Sequence, residues 1–324
     1  MRVVFMGTPD FAVPSLKALV DAGHDVRAVV TQPDRPKGRG KKYAPPPVKE
    51  IALSLNLPVI QPVQIKDPDF IDLLRGYSPE VIVVVAYGRI LPPAILLLPE
   101  HGCVNVHASL LPKYRGAAPI HRAVINGEKI TGVTTMFIDE GLDTGDMILR
   151  EKVPIFMEDT VGDVHDRLSA VGARLLVETM DMIGQGRAPR IPQTGESSYA
   201  PVLTGADELI IWEKPAQDIY NLIRGMNPWP GARTYLGGKM LKIWRATILD
   251  EEQLLARPGR VMGTARDGIL VGTGKGLLVI NELQMQGAKR MSAADFLRGT
   301  PAPLGVILSN VPEKETVCGD SGNV

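Results

Sequence analysis

The chain has 324 residues, 44% of them hydrophobic and 22% charged, which suits two globular domains and excludes a mainly disordered or fibrous protein. Its 36 Lys+Arg offset its 36 Asp+Glu, so a polyanion has to be held by a local basic patch rather than by an overall field. Two cysteines, Cys103 and Cys318, make neither a disulfide framework nor a four-ligand zinc site, and with no signal-peptide core and no apolar run of about 18 residues a cytoplasmic protein without membrane spans is expected.

From residue 1 to 189, short apolar runs alternate with helical stretches, the pattern of a doubly wound, mainly parallel α/β sheet. Val3 to Met6 reads as the first strand, and Val13, Leu16, Leu19 and Val20 recur at helical spacing until Gly23 ends that helix. Val26 to Thr31, the β-branched run Val81 to Val85, Cys103 to His107 and Gly132 to Ile138 are further strands, and Val161 to Ile183 is a helix packed on them. Residues 190–206, with Pro192, Gly195, Pro201 and Gly205 and no helical period, read as a linker. A helix from Ala216 to Arg224 then precedes short glycine-punctuated strands at Thr234 to Leu236, Met240 to Trp244, Gly259 to Thr264, Gly268 to Thr273 and Leu277 to Leu283, a small β-barrel over 207–309. Residues 310–324 form a polar tail, expected to be flexible.

Three stretches carry candidate chemistry. In the strand Cys103 to His107, a period of two puts Asn105 and His107 on one face, with Cα atoms roughly 7 Å apart. Polar side chains there need partners or a task at the strand's carboxyl end, where open α/β sheets bind ligands. An amide and an imidazole form an oxyanion-stabilising pair for acyl transfer; a histidine merely hydrogen-bonded into a loop is the plain alternative. The following segment, 108–119, is too rich in Pro and Gly for an element interior and too apolar for an ordinary surface loop. The acidic turn 139–146 lacks the ligand spacing of a calcium loop. No metal is expected there, and a carboxylate such as Asp143, if the fold brings it near His107, would hold the imidazole's tautomer.

A fourth stretch, Arg35-Pro36-Lys37-Gly38-Arg39-Gly40-Lys41-Lys42, sets five cations in eight residues on a glycine-bearing loop. Such a run is commonly a solvated face. In an otherwise neutral chain, between a strand and the next helix, it suits an irregular phosphate backbone. Gly7-Thr8-Pro9 is not the glycine pattern of a dinucleotide site, and Trp212, Trp229 and Trp244 read as core or barrel anchors rather than stacking platforms.

With Asn105-x-His107, Ser109-Leu110-Leu111-Pro112 and Asp143 inside Gly141-Leu142-Asp143-Thr144-Gly145 in this order, the chain resembles the folate-dependent formyltransferase family. The likeness extends to Gly7-Thr8-Pro9-Asp10-Phe11, Thr31 to Pro36, Val85-Ala86-Tyr87-Gly88, Ile90-Leu91-Pro92 and Asn227 to Gly231, nearly the whole chain. The resemblance implies a Rossmann-like catalytic domain over 1–189 and an OB-like tRNA-binding barrel over 207–309. It implies a formyl group passed from the co-substrate 10-formyltetrahydrofolate to an amine, with catalytic roles for Asn105, His107 and Asp143. Folate contacts are implied for Tyr87, Gly88, Ile90, Leu91, Ser109, Leu110, Leu111, Pro112 and Asp139. Contacts with initiator tRNA charged with methionine are implied for Arg35, Lys37, Arg39, Lys41 and Lys42, Arg39 being the specific one and the working form a monomer. Ile211 and His121 depart from the family pattern, outside the catalytic motifs. Two rival readings stand beside this one: the same catalytic set acting on an amino sugar nucleotide, glycinamide ribotide or water, and a non-catalytic RNA-binding protein, which leaves Asn105, His107 and Asp143 without a task.

Overall fold

A computed structural model describes residues 1–37, 42–252, 257–266, 268–300 and 304–311; of Lys37 and Lys42 only the backbone is described. The chain divides into two units, one of Met1–Ile120, Lys129–Phe156 and Asp163–Val202, the other of His121–Glu128, Met157–Gly162 and Leu203–Val324. No helix among the described residues is long and apolar enough to cross a membrane.

Up to the end of the first unit the elements are β1 (Arg2–Gly7), α1 (Val13–Asp21), β2 (Asp25–Val30), β3 (Arg35–Lys37), β4 (Lys42–Ala44), α2 (Pro47–Ser54), β5 (Val59–Ile60), α3 (Pro68–Gly76), β6 (Val81–Val85), α4 (Pro93–Leu96), β7 (Cys103–His107), α5 (Pro119–Ile125), β8 (Ile130–Phe137), β9 (Met147–Pro154) and α6 (Val161–Gly184). Seven strands form one sheet in the order β5-β2-β1-β6-β7-β8-β9. The five from β5 to β7 are parallel, whereas β8 and β9 are antiparallel additions. Every residue of β6 is buried, as its unbroken β-branched run requires of a strand covered on both faces.

Helix α6 covers the face to which Val106 points. A Cβ at Gly172 would stand 3.0 Å from Val106 Cγ1, so the missing side chain lets helix and strand approach closely. The buried hydroxyls of Thr135 and Thr179 meet at 2.7 Å on the same face. Asn105 and His107, one residue out of phase with Val106, are left to the opposite face.

Three details go beyond the sequence reading. Strand β9 contains Arg150-Glu151-Lys152, which breaks the apolar pattern; it is the last strand of the sheet, paired along its length with β8, and Arg150 and Lys152 are exposed while Glu151 is half-buried. The stems of the basic stretch pair as a ribbon, with Arg35 opposite Ala44, Pro36 opposite Tyr43 and Lys37 opposite Lys42. Residues 190–202, read above as linker, lie within the first unit, with bridges from Met147 to Ile191 and from Arg115 to Tyr199.

In the second unit α7 (Ala216–Gly225) is followed by β10 (Ala232–Leu236), β11 (Lys239–Asp250), β12 (Val261–Ala265), β13 (Gly268–Gly272), β14 (Leu277–Met285), β15 (Met291–Ser292) and α8 (Ala293–Gly299). The antiparallel order is β10-β11-β14-β13-β12, with β15 beside β14. Bridges from Ser309 to Tyr235 and from Ile307 to Arg260 join the two outer strands through one segment, which closes the sheet on itself. Trp212, Ile219, Ile223, Ile243, Val271 and Ile280 fill its core, and Trp212 Nε1 donates to Thr234 Oγ1 at 3.0 Å. Segments 121–128 and 157–162 belong to this unit through contacts such as Arg122 to Asp207 at 2.7 Å and Tyr220 Oη to the Met157 carbonyl at 2.9 Å.

Candidate active site

Strands β6 and β7 are parallel, with Val84 opposite Asn105, so the loops that follow them leave the sheet side by side at its carboxyl edge. Asn105 and His107 are the last polar residues of β7 before that edge. The third group arrives from β8. After Ile138 N–H donates to the Cys103 carbonyl at 2.8 Å, the turn 139–146 folds back along the sheet, and Phe137 N–H closes it by donating to the Asp146 carbonyl at 2.9 Å. A side chain at Gly145 would overlap the Phe137 carbonyl oxygen, so only glycine fits this closure. Thr144 Oγ1 and the Gly141 N–H both donate to Asp139 Oδ1, at 2.6 and 3.0 Å, and tighten the turn.

Asp143 sits at φ +53°, a left-handed conformation that aspartate tolerates better than most residues. From there its Oδ1 accepts from Asn105 Nδ2 at 3.3 Å, and its Oδ2 lies 3.6 Å from His107 Nδ1 while accepting the Gly116 N–H at 2.8 Å. His107 Nε2 lies 2.9 Å from the Tyr114 carbonyl. A carbonyl only accepts, so Nε2 carries a proton and Nδ1 is the nitrogen turned to the carboxylate. The imidazole is 6% exposed and the Asp143 side chain 15%. Water therefore screens this pair less than it would a pair on the surface.

A strap over residues 193–200 fixes this arrangement. Gln193 Nε2 donates to the carbonyls of Asp143 and Gly145 at 2.8 and 2.9 Å, while its Oε1 accepts from Arg115 Nε and Nη2 at 3.1 and 2.7 Å. Ser198 Oγ accepts the Tyr114 N–H at 2.9 Å, the Ser198 carbonyl accepts the Arg115 N–H at 2.9 Å, and Ala200 N–H donates back to the Arg115 carbonyl at 2.6 Å. Gly116, at φ +111°, has the Ala200 carbonyl 2.8 Å from where a Cβ would be. Sequence reasoning missed Tyr114, Gly116, Gln193 and Ser198. Tyr114 and Gly116 act through backbone groups and leave a trace only in the Pro- and Gly-rich character of 108–119, whereas Gln193 and Ser198 lie in the stretch read as linker.

The other expected site residues fall into two groups. Ser109 and Leu111 are fully buried: Ser109 Oγ donates to the Lys113 carbonyl at 2.6 Å, and Thr134 Oγ1 both donates to the Ser109 carbonyl at 2.7 Å and accepts the Leu111 N–H at 3.2 Å. They shape the loop from beneath, while Leu110 and Pro112 are half-buried. Tyr87 and Leu91 are buried anchors. The Tyr87 carbonyl accepts from Thr8 Oγ1 at 3.1 Å and Gln32 Nε2 at 3.2 Å, and burial pushes its hydroxyl's pKa up. Gly88 and Ile90 of the same loop are exposed, Ile90 at 72%. Asp139 is exposed, with the turn's own donors on its carboxylate. Arg35 is exposed and Lys37 and Lys42 pair through their backbones, whereas Arg39 and Lys41 lie outside the described residues. Among the described residues, no group of three or more His, Cys, Asp or Glu could hold a metal ion.

The family model for formyl transferase matches residues 1–180, and that for the formyl transferase C-terminal domain matches residues 203–301. The chain is 68% identical over 308 residues to the methionyl-tRNA formyltransferase of Pelotomaculum thermopropionicum, covering 95% of this chain and 98% of that protein. It is 57% identical over 312 residues to the one of Moorella thermoacetica, covering 96% and 100%. Among solved structures, the N-formyltransferase of Helicobacter canadensis crystallised with folinic acid and dTDP-3-aminofucose shares the fold at a TM-score of 0.62 and 20% identity, covering 89% of this chain and 99% of that one. On the strength of both family models and of relatives matched end to end, the chain belongs to the formyl transferase family.

Proposed function

We propose that the chain transfers the formyl group of 10-formyltetrahydrofolate to the α-amine of methionine esterified to initiator tRNA. The observation that supports it most is the convergence of Asn105, His107 and Asp143 at the carboxyl edge of β7. The relatives at 68% and 57% identity carry the name methionyl-tRNA formyltransferase, and the five cations between Arg35 and Lys42 give a polyanionic acceptor a place to bind.

The amine attacks the formyl carbon and negative charge gathers on the formyl oxygen. Asn105 Nδ2 has a second proton beyond the one given to Asp143, and that proton serves the oxyanion. The attacking nitrogen must lose a proton and N10 of the folate must gain one. His107 is flanked by two acceptors, the Tyr114 carbonyl at Nε2 and the Asp143 carboxylate at Nδ1, an arrangement that stabilises the imidazolium formed when the ring takes the amine's proton. Returning that proton to N10 restores the ring, so the protons balance over one turnover. Gly88 and Ile90 on the loop after β6 are exposed and Leu110 and Pro112 on the loop after β7 are half-buried, so these loops would supply the apolar surface that a flat heteroaromatic pterin needs. Arg35, Lys37, Arg39, Lys41 and Lys42 would hold the acceptor end of the tRNA, Arg39 as the specific contact, and the protein would work as a cytoplasmic monomer.

The test is to incubate purified protein with charged initiator tRNA and 10-formyltetrahydrofolate and to weigh the released aminoacyl group. A formyl mass increment on methionine is expected. Formylation of an amino sugar nucleotide with methionine left unmodified would overturn the assignment.

A further inference from the structure

Away from the Asn105–His107–Asp143 cluster, a second set of polar side chains links the ends of four strands in the first unit. Lys49 Nζ donates to Asp34 Oδ1 and Oδ2 at 2.8 and 2.9 Å and to Gln61 Oε1 at 2.8 Å, which uses all three of its protons. Gln61 Nε2 donates both of its own, to Asp34 Oδ1 at 2.7 Å and to the Gln32 carbonyl at 2.9 Å. Gln32 Nε2 reaches the Tyr87 carbonyl at 3.2 Å, and its Oε1 accepts from Arg89 Nε at 3.2 Å. Hydrogen bonds from Gln61 and then from Lys49 hold the Asp34 carboxyl below its ordinary pKa.

The positions matter more than the energies. Asp34 immediately precedes β3 and Lys49 lies in the first turn of α2, just past β4, so their ion pair clamps both stems of the basic ribbon. At the far end of the same network, Gln32 grips the loop after β6 through Tyr87 and Arg89. An exposed ion pair alone would position little. Here each amide has both ends committed, so its orientation is fixed and the network transmits displacement.

We propose that Asp34, Lys49, Gln61 and Gln32 act as a positioning relay that sets the basic ribbon in register with the loop after β6. Acceptor tRNA engaged by the ribbon is thereby aligned with the formyl donor, an inference that rests on the substrates proposed above. None of the four touches substrate in this role. Each end should therefore affect one substrate.

The experiment is steady-state kinetics on Lys49→Met, Gln32→Leu and Gln61→Leu, varying charged tRNA and formyl donor separately. Lys49→Met should raise KM for the tRNA about 10-fold and leave KM for the donor within about 2-fold. Gln32→Leu should do the reverse, and Gln61→Leu should raise both. A merely structural role would move both KM values together in all three, or neither, and either result overturns the relay. Trypsin cleavage between Arg35 and Lys42, followed on the same proteins without substrate, gives a second readout. Faster cleavage in Lys49→Met than in wild type supports the clamp, and equal rates overturn it. Should wild type fail to formylate charged tRNA, the proposed substrate falls, while the cleavage rates still decide whether the pair anchors the ribbon.

Discussion

Asp143 Oδ2 accepts the Gly116 N–H at 2.8 Å while standing 3.6 Å from His107 Nδ1, so one carboxylate oxygen ties the loop after β7 to the imidazole at the end of that strand. The carboxylate's other oxygen takes Asn105, and the three side chains form one unit rather than three independent contributors. Asn105→Ala and His107→Ala should each lower kcat by about 100-fold, the usual worth of one oriented donor at a developing oxyanion. The double variant should cost far less than the product of the two, because residues that act as a unit are not additive. Single-turnover formylation with saturating substrates measures both effects, and circular dichroism checks that the fold is retained.

Gln193→Leu tests the strap. The leucine fills similar space but gives no hydrogen bond to the carbonyls of Asp143 and Gly145, and it leaves Arg115 without its amide acceptor. Asp143 then loses the anchor of its left-handed backbone. We expect kcat to fall about 10-fold with little change in either KM, since Gln193 positions a carboxylate and touches no substrate. Gln193→Glu, which keeps an acceptor for Arg115 and loses the donor, should resemble the leucine variant. Activity close to wild type in Gln193→Glu would show that the donor half of the amide is dispensable.

The parts of the fold legible in the sequence are those where one physical signal dominates. Val81 to Val85 reads as a central strand because burial on both faces demands an apolar run, and Val161 to Ile183 as a helix because one stripe of it is apolar; the observed bounds are Val81–Val85 and Val161–Gly184. Strand β9 was not legible, because an edge strand carrying Arg150, Glu151 and Lys152 pairs through its backbone and has no apolar alternation to reveal it. Asn105 and His107 stood out as polar residues where burial favours apolar ones. Gln193 and Ser198 did not, because their work is hydrogen bonding to backbone across a stretch whose Pro and Gly content looks like that of any linker.

In the second unit the buried Trp212 Nε1 depends on Thr234 Oγ1 at 3.0 Å, and that hydroxyl in turn donates to the Ser309 carbonyl at 2.8 Å. Thr234→Val preserves shape and strands Trp212 Nε1 in the core, where an unmet polar group costs about 1–3 kcal/mol, while the Ser309 carbonyl keeps its bond from the Tyr235 N–H at 2.9 Å. Urea unfolding followed by tryptophan fluorescence should show the transition of this unit at lower denaturant by that amount. Thr234→Ser, which keeps the hydroxyl, should recover most of the loss. If valine is tolerated without a shift, the hydrogen bond contributes nothing net.

Acid should weaken the contact between Asp207 and Arg122 in a defined window. Asp207 accepts from Arg122 Nη1 at 2.7 Å and from the backbone N–H and hydroxyl of Thr204 at 2.8 and 2.9 Å, and the Arg122 bond foremost holds its pKa down, at about 2. A carboxyl whose pKa is lower folded than unfolded stabilises the fold fully above its unfolded value, here near 3.8, and loses that contribution as pH falls toward the folded value. Subtracting the stability of Asp207→Asn from that of wild type isolates this group from the other carboxylates that titrate in the same range. The difference should be flat from about pH 7 to pH 5 and shrink between about pH 4 and pH 2. Because ionisation is more favourable in the folded state than in the unfolded one, the curve must fall monotonically on acidification; a difference that grows as pH drops would mean that Arg122 and Asp207 do not pair in solution.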